Sequence, residues 1–344
     1  MSGAVEVFLD ETPGETRGVV LRDGRFTHLL IQREDDPAET RLGARSIGRV
    51  VEINPGLRGA FVDLGGAAPG FLPLRRQDRL TQGERLEGVV VAEPRRGKGA
   101  TLRRLGPGEG TPRLLEAAPS IAEQLQRLAP GVESVTGLPA IDAAIEAEEE
   151  ALSATHVFMS HGIDLALERT RALAAVDLDY AASAGRDPKQ GRAAANREGL
   201  RQTARLIGLK SWGGLMVIDL VGDGQEAEAQ MKAARAAFAH EPQAVFAPVS
   251  RFGLIQVALP WRRTPIEEVL AGADGQATVR TRALALARAL RRQILADTVT
   301  PRFVARCHPE EARIAAPLAA RLGPRAVVQA DPDAPAGRGR IQET

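Results

Sequence analysis

Two aspartates that each follow a short apolar run are the residues of this chain best suited to chemistry. Asp219 closes the run that begins at Gly213, and Asp177 closes a similar run that begins at Ala172. Short apolar runs predict buried strands, and open α/β sheets bind their ligands at the carboxyl ends of strands. If the two strands are neighbours, the carboxylates converge into a hard-oxygen site that suits Mg²⁺ and a substrate phosphate.

An aspartate at the end of a strand also has an ordinary structural explanation. Its side chain commonly caps a following helix or forms a hydrogen bond within a turn. A single residue of this kind would favour the cap. Because two such aspartates follow matching apolar runs, a helix cap and a metal ligand are comparably good interpretations. The rest of the sequence has to distinguish between them.

The composition limits the class of protein. A length of 344 residues suggests two or three domains. The net charge of +1 excludes a strongly basic overall field, so any nucleic-acid surface must be local. Cys307 is the only cysteine, which excludes an intramolecular disulfide and a multi-cysteine zinc site and fits a cytoplasmic location. We find no signal peptide and no run long enough for a membrane span.

Residues 46–105 consist of short alternating segments separated by glycine turns. This pattern predicts a small β-barrel, and an OB-fold has the required size. On such a barrel Phe61 and Phe71 could stack on bases while Lys98 and neighbouring arginines contact phosphates. The alternative is that the rings fill the barrel core, which the spacing alone favours for at least one of them.

Strands and helices alternate from residue 156 to residue 259, which predicts an α/β layer with residues 180–188 as a loop beside the aspartates. The acidic run 146–150 lies on a predicted helix, where it most simply forms a solvated face. Residues 331–344 look frayed. There is no phosphate-cradling glycine loop and no nucleophile elbow, so no organic cofactor site is predicted.

The order of these motifs resembles the bacterial ribonuclease E/G endoribonucleases, in a shortened form. Four segments with the family's order show the resemblance: Val5 to Glu34; Gly48 to Gly65 with Gly70 to Pro73 and Gly97 to Ala100; Ala172 to Asp179 with Asn196 to Glu198 and Gly213 to Asp219; and Val249 to Leu254. Together these segments span most of residues 4–260. No single segment is specific to the family, but their combination is highly specific.

The resemblance implies an α/β (α+β) protein with an RNase H-like catalytic domain, built from the first strands and residues 140–260 and interrupted by an OB-fold. It also implies Mg²⁺-dependent cleavage of single-stranded RNA. Asp177 and Asp219 fall on the family's metal-binding aspartates. Phe61, Phe71 and Lys98 fall on its RNA-contacting positions. The implied domains are 1–44, the N-terminal strands; 45–105, the OB-fold insert; 106–139, a shortened linker or sensor; 140–270, the catalytic domain; and 271–344, a small α/β C-terminal remnant.

The chain departs from the family pattern at places that bear on function. Asp179 stands where the family usually has Asn, which makes it a further candidate metal ligand, and Asp223 lies one place later than the family's next aspartate. The family's cysteine pair is missing, so we expect no zinc link between subunits; the oligomeric state, a homodimer included, stays open. We also expect indifference to the RNA 5′ phosphate, because the sensor segment is short.

Two functional hypotheses follow from these observations. The first is a minimal Mg²⁺-dependent endoribonuclease, which the retention of both aspartates favours because buried carboxylates are costly without a metal. The second is a catalytically inactive RNA-binding protein derived from the family, which the departures favour.

Overall fold

The computed structural model divides into two compact units. Unit 1 comprises Met1–Glu148 and Arg263–Thr344, and unit 2 comprises Glu149–Arg262. The predicted loop at 180–188 falls largely outside the described part of the chain, as does Asp223. The structure describes residues 4–66, 68–181, 188–222 and 226–344.

Unit 1 opens with a sheet of four strands, in which three successive strands are antiparallel and a short edge strand pairs in parallel. The Asp23-Gly24 pair joins two strands with both residues at positive φ, as a tight two-residue hairpin requires. A helix with a Ser120/Glu123 capping box covers the sheet and buries Ile121 and Leu125. The elements are β1 (Val5–Thr12), β2 (Glu15–Arg22), β3 (Arg25–Arg33), β10 (Ser134–Val135) and α1 (Ile121–Leu128), with sheet order β10-β1-β2-β3.

A closed barrel follows the first sheet. Five strands close in the order β4-β5-β6-β8-β7 because β4 pairs with both β5 and β7, and β9 adds to β4 outside the ring. Alternate residues such as Val62 and Leu72 point into its core. The strands are β4 (Arg45–Asn54), β5 (Gly59–Asp63), β6 (Gly70–Pro73), β7 (Arg85–Ala92), β8 (Thr101–Pro107) and β9 (Arg113–Glu116).

The end of the chain forms a small α/β layer in unit 1. The prediction that residues 331–344 are frayed is wrong, because the strand at Arg340–Glu343 pairs with Phe303–Cys307 along four residues. Such a pairing partner lies far away in sequence and gives no local signal. The elements are α5 (Ile266–Leu270), α6 (Val279–Ala296), β17 (Phe303–Cys307), α7 (Pro309–Ala320), β18 (Ala326–Ala330) and β19 (Arg340–Glu343).

A buried cluster of charges lies at the centre of unit 1. Glu15 is fully buried and accepts hydrogen bonds from Arg17 (2.7 Å), Arg33 (2.7 Å) and Arg288 (2.9 Å). Asp10 accepts a second hydrogen bond from Arg288 at 2.7 Å. We call these five residues the arginine cluster. Burial acts to raise the pKa of Glu15, but the three guanidinium charges outweigh burial and hold the pKa well below its usual range.

Unit 2 is built on a mixed sheet of six strands with order β11-β12-β13-β14-β16-β15. Helix α3 packs on β12 and β13, and α4 packs on α3. The elements are α2 (Leu138–Leu152), which crosses the boundary between the units, β11 (Thr155–Phe158), β12 (Ile163–Arg169), β13 (Ala174–Tyr180), α3 (Pro188–Leu209), β14 (Gly214–Asp219), α4 (Ala227–Ala237), β15 (Val245–Phe246) and β16 (Ile255–Leu259).

Two expectations from sequence differ from this architecture. The first strands and the strands of the two aspartates lie in separate sheets and separate units, whereas the resemblance implied one α/β domain built from both. A hairpin pattern predicts a strand pair but not the sheet it joins. The acidic helix α2 is also not simply a solvated face: Glu148 pairs with the buried Arg17, and Glu150 pairs with Arg205 at 2.8 Å.

Candidate functional site

The two aspartates predicted to converge lie side by side on neighbouring strands. Strands β13 and β14 pair in parallel, and Asp177 is the register partner of Asp219. Neighbouring strands are about 4.8 Å apart, and paired residues point to the same face of a sheet. Asp177 lies inside β13, paired with Ala166 on its other side, so it is not a helix cap. The spacing of two apolar runs therefore predicted a real juxtaposition.

The face that holds these aspartates is open rather than buried. Along β13 the apolar residues Val176 and Leu178 are buried, while Asp177 and Asp179 are exposed. Asp219 is likewise exposed beside the buried Ile218. The expectation that these strands are buried is therefore wrong for one of their two faces, because only the other face contributes to the hydrophobic core.

A fourth carboxylate, which the sequence analysis missed, joins the same face. Asp164 on β12 pairs directly with Asp179 and is exposed. The four residues Asp164, Asp177, Asp179 and Asp219 form what we call the aspartate face. The missed signal was the spacing of Ile163, Leu165 and Leu167 at every second residue, which predicts a strand that begins before Leu165 and includes Asp164.

The electrostatics of the aspartate face reflect like charges held together. Partial burial raises the pKa of Asp177 above its usual value, and the nearby carboxylates of Asp179 and Asp219 raise it further. A hydrogen bond from the Leu178 backbone opposes the rise, and Asp164 adds a smaller increase. Carboxylates that repel one another in this way are stabilised by a cation.

Asn196, in the middle of α3, fixes the backbone that follows Asp219. Its side-chain amide donates to the Val221 carbonyl oxygen at 2.9 Å, and its carbonyl oxygen accepts from the Val221 N–H at 3.0 Å. Asn196 is only 6% exposed, so the hydrogen bonds are shielded from water. This two-point contact holds the chain two residues beyond the aspartate, and it gives the Asn196-Arg197-Glu198 motif a physical role.

The donor set of the aspartate face fits a hard divalent cation held by few protein ligands. Within the ranges that the structure describes, no three His, Cys, Asp or Glu side chains are grouped so as to enclose an ion. Mg²⁺ is typically bound by one or two carboxylates, with water and substrate phosphate in the remaining positions. Asp177 and Asp219, as register partners, are the two carboxylates that could form such a pair. Zn²⁺, which prefers closed sites of nitrogen and sulfur ligands, fits poorly.

The barrel of unit 1 presents the two predicted aromatic residues together. Phe61 on β5 and Phe71 on β6 are register partners, with ring centroids 5.6 Å apart and the planes inclined by 63°. Both are partly exposed on the face opposite Val62 and Leu72, so neither fills the barrel core. Gly59 makes room for the Phe71 ring, since a Cβ there would stand 2.2 Å from Cζ.

Lys98 lies at the same part of the barrel. It closes an exposed tight turn in which Arg95 and Lys98 exchange backbone hydrogen bonds. Two residues later, the Ala100 carbonyl oxygen accepts from the Phe71 N–H at 2.7 Å. The strand that carries Phe71 is therefore hydrogen-bonded to the chain two residues after Lys98.

Comparison with known families agrees with the motifs. Residues 114–260 match the Ribonuclease E/G family, and this stretch contains all four residues of the aspartate face. No curated protein sequence matches the chain. The fold and the site thus define an α+β protein with a carboxylate site on an open sheet face. The matched part of the chain is similar to the ribonuclease E/G family, and this similarity suggests ribonuclease activity on RNA.

No helix in the described ranges combines the length and the apolar character needed to cross a bilayer.

Proposed function

We propose that the chain is a Mg²⁺-dependent endoribonuclease that cleaves single-stranded RNA, with Asp177 and Asp219 as metal ligands and Asp179 as a further candidate. The single observation that supports this most strongly is the register pairing of Asp177 with Asp219 on an exposed sheet face. The family match over the same residues supports RNA as the substrate.

The residues of unit 2 would divide the work as follows. Asp177 and Asp219 hold the ion, and Asn196 fixes the backbone beyond Asp219 so that this ligand keeps its orientation. A bound Mg²⁺ would supply positive charge for the scissile phosphate and would make a water molecule easier to deprotonate. In the hydrolysis, the water oxygen would bond to phosphorus and the bond from phosphorus to the leaving ribose oxygen would break. The water would give up one proton and the leaving oxygen would take one up, so that the products are a phosphate monoester and a ribose hydroxyl group.

We further propose that the barrel is an OB-fold that binds unpaired RNA. The closed strand order and the outward-facing Phe61 and Phe71 support this assignment. Each ring offers a surface on which a base can stack, and Lys98 offers a charge for a phosphate. Recognition through stacking requires splayed bases, so it selects single strands over duplex.

The test is cleavage of an end-labelled, A/U-rich single-stranded RNA with and without Mg²⁺. We expect wild type to cut the RNA only with Mg²⁺, and Asp177→Asn or Asp219→Asn to lower the rate about 100-fold or more, since metal catalysis supplies several kcal/mol. Asp333→Asn, which removes an exposed carboxylate in unit 1, is the matched control and should cut normally.

Wild type that binds this RNA but never cuts it would overturn the enzyme proposal and favour the RNA-binding alternative. Cleavage that persists in both folded aspartate variants would move the site elsewhere.

A further inference from the structure

We propose that Phe252 is a base-stacking residue of unit 2 that binds an unpaired RNA base next to the scissile phosphate. This inference rests on the proposed function and adds a determinant of substrate specificity to it. Phe252 is 86% exposed, in a chain in which only 3% of residues are aromatic. Single exposed apolar residues are common on protein surfaces, so the argument depends on how this ring is held and where.

The backbone beneath Phe252 is held in one conformation. The Ser250 hydroxyl oxygen accepts hydrogen bonds from the Phe252 N–H at 3.2 Å and the Leu254 N–H at 3.1 Å. The Ser250 N–H donates to the Leu254 carbonyl oxygen at 3.1 Å, and the Gly253 N–H donates to the Ser250 carbonyl oxygen at 3.0 Å. Gly253 has a φ of 82°, which favours glycine. A fixed turn offers its ring at little cost in conformational entropy on binding.

The turn lies at the end of the sheet that holds Asp219. Ile255 is the register partner of Ile218, and Asp219 is the next residue of β14. Phe252 precedes Ile255 by three residues. A fully extended chain of that length spans on the order of 10 Å, so this is the largest separation between the backbones of Phe252 and Ile255. A ring at this distance from the aspartate can contact a nucleotide adjacent to a phosphate held there.

Charge supports RNA as the occupant of this surface. Arg251, the neighbour of Phe252 in the turn, is exposed, and a guanidinium group suits the phosphate of the nucleotide whose base is stacked. The aspartate face alone repels a polyanion. Arg251 and Phe252 together offer the RNA a positive charge and a stacking surface next to the aspartate face. Stacking is tolerant of sequence because every base has a π face.

The experiment compares Phe252→Ala, Phe252→Trp and the control Val299→Ala, whose side chain in unit 1 is 87% exposed. Binding is measured in an Asp177→Asn background with single-stranded RNAs that carry 2-aminopurine at successive positions. Cleavage is measured with Asp177 intact. We expect Phe252→Ala to weaken binding about five- to ten-fold, as loss of one stack predicts, and to raise KM more than it lowers kcat.

Phe252→Trp should restore binding and quench 2-aminopurine at one position, and Val299→Ala should behave as wild type. Equal binding and equal quenching in Phe252→Ala and wild type would overturn the inference. The two proposals fail separately: a wild type that does not cut defeats the endoribonuclease, while the binding measurement still decides the role of Phe252.

Discussion

The two charged clusters of this protein differ in burial and in the pairing of their charges. In the arginine cluster of unit 1, Asp10 and Glu15 are buried, and each carboxylate is hydrogen-bonded to guanidinium groups. On the aspartate face of unit 2, four carboxylates share an exposed surface, and the pKa of Asp177 is raised by its neighbours. Opposite charges within the chain stabilise the fold of unit 1, whereas the shared negative charge of the aspartate face supports our proposal that a cation binds there.

The largest effect should come from breaking the matched cluster. We expect Glu15→Gln to lower the free energy of unfolding by about 3–5 kcal/mol, because it takes the carboxylate partner from the buried Arg33 and one of two such partners from Arg17 and from Arg288. The control is Glu34→Gln, which breaks the half-exposed pair with Arg321 and should cost at most about 1 kcal/mol. Urea titration measures both, and equal losses would remove the contrast between buried and exposed charge.

The same cluster predicts a direction for the dependence on pH. Glu15 has a lowered pKa in the folded state, from a usual value of 4.5. The ionised Glu15 carboxylate therefore contributes fully to stability above the usual pKa of 4.5. This contribution is lost as the pH falls from 4.5 towards the lower pKa of the folded state. The difference in the free energy of unfolding between wild type and Glu15→Gln should therefore decrease as the pH is lowered below 4.5.

Substitution of a carboxylate on the aspartate face should raise the stability of the protein, whereas substitution in the arginine cluster lowers it. Without metal, we expect Asp177→Asn to raise Tm by about 1–2 °C, because it removes repulsion at an exposed site. Since the pKa of Asp177 is raised, first by burial and then by Asp179 and Asp219, acidification relieves the same repulsion. The difference between variant and wild type should therefore shrink as the pH falls.

Thermal melts by circular dichroism at neutral and mildly acidic pH measure this difference. A lower Tm for Asp177→Asn at neutral pH would show that the carboxylate is a structural partner, and the comparison between the clusters would fail.

The sequence predicted what depends on local pattern. Matching apolar runs predicted the neighbouring strands of Asp177 and Asp219, and the structure has these strands side by side. The sequence did not predict the pairing of segments that are far apart in the chain, such as the pairing of β19 with β17. The spacing of Ile163 and Leu165 was a local signal for placing Asp164 on β12, but the pairing of Asp164 with Asp179 joins two strands and has no local signal. The arginine cluster was also missed, since its members come from opposite ends of the chain.

Direct binding of a divalent cation tests the central claim most directly. We would titrate the full chain with Mn²⁺, a paramagnetic substitute for Mg²⁺, and follow the free ion by electron paramagnetic resonance. The account predicts that wild type binds Mn²⁺, that Mg²⁺ competes for the same site, and that Asp177→Asn and Asp219→Asn lose the binding while Glu34→Gln retains it. Equal binding by wild type and both aspartate variants would contradict the assignment of the aspartate face as the metal centre.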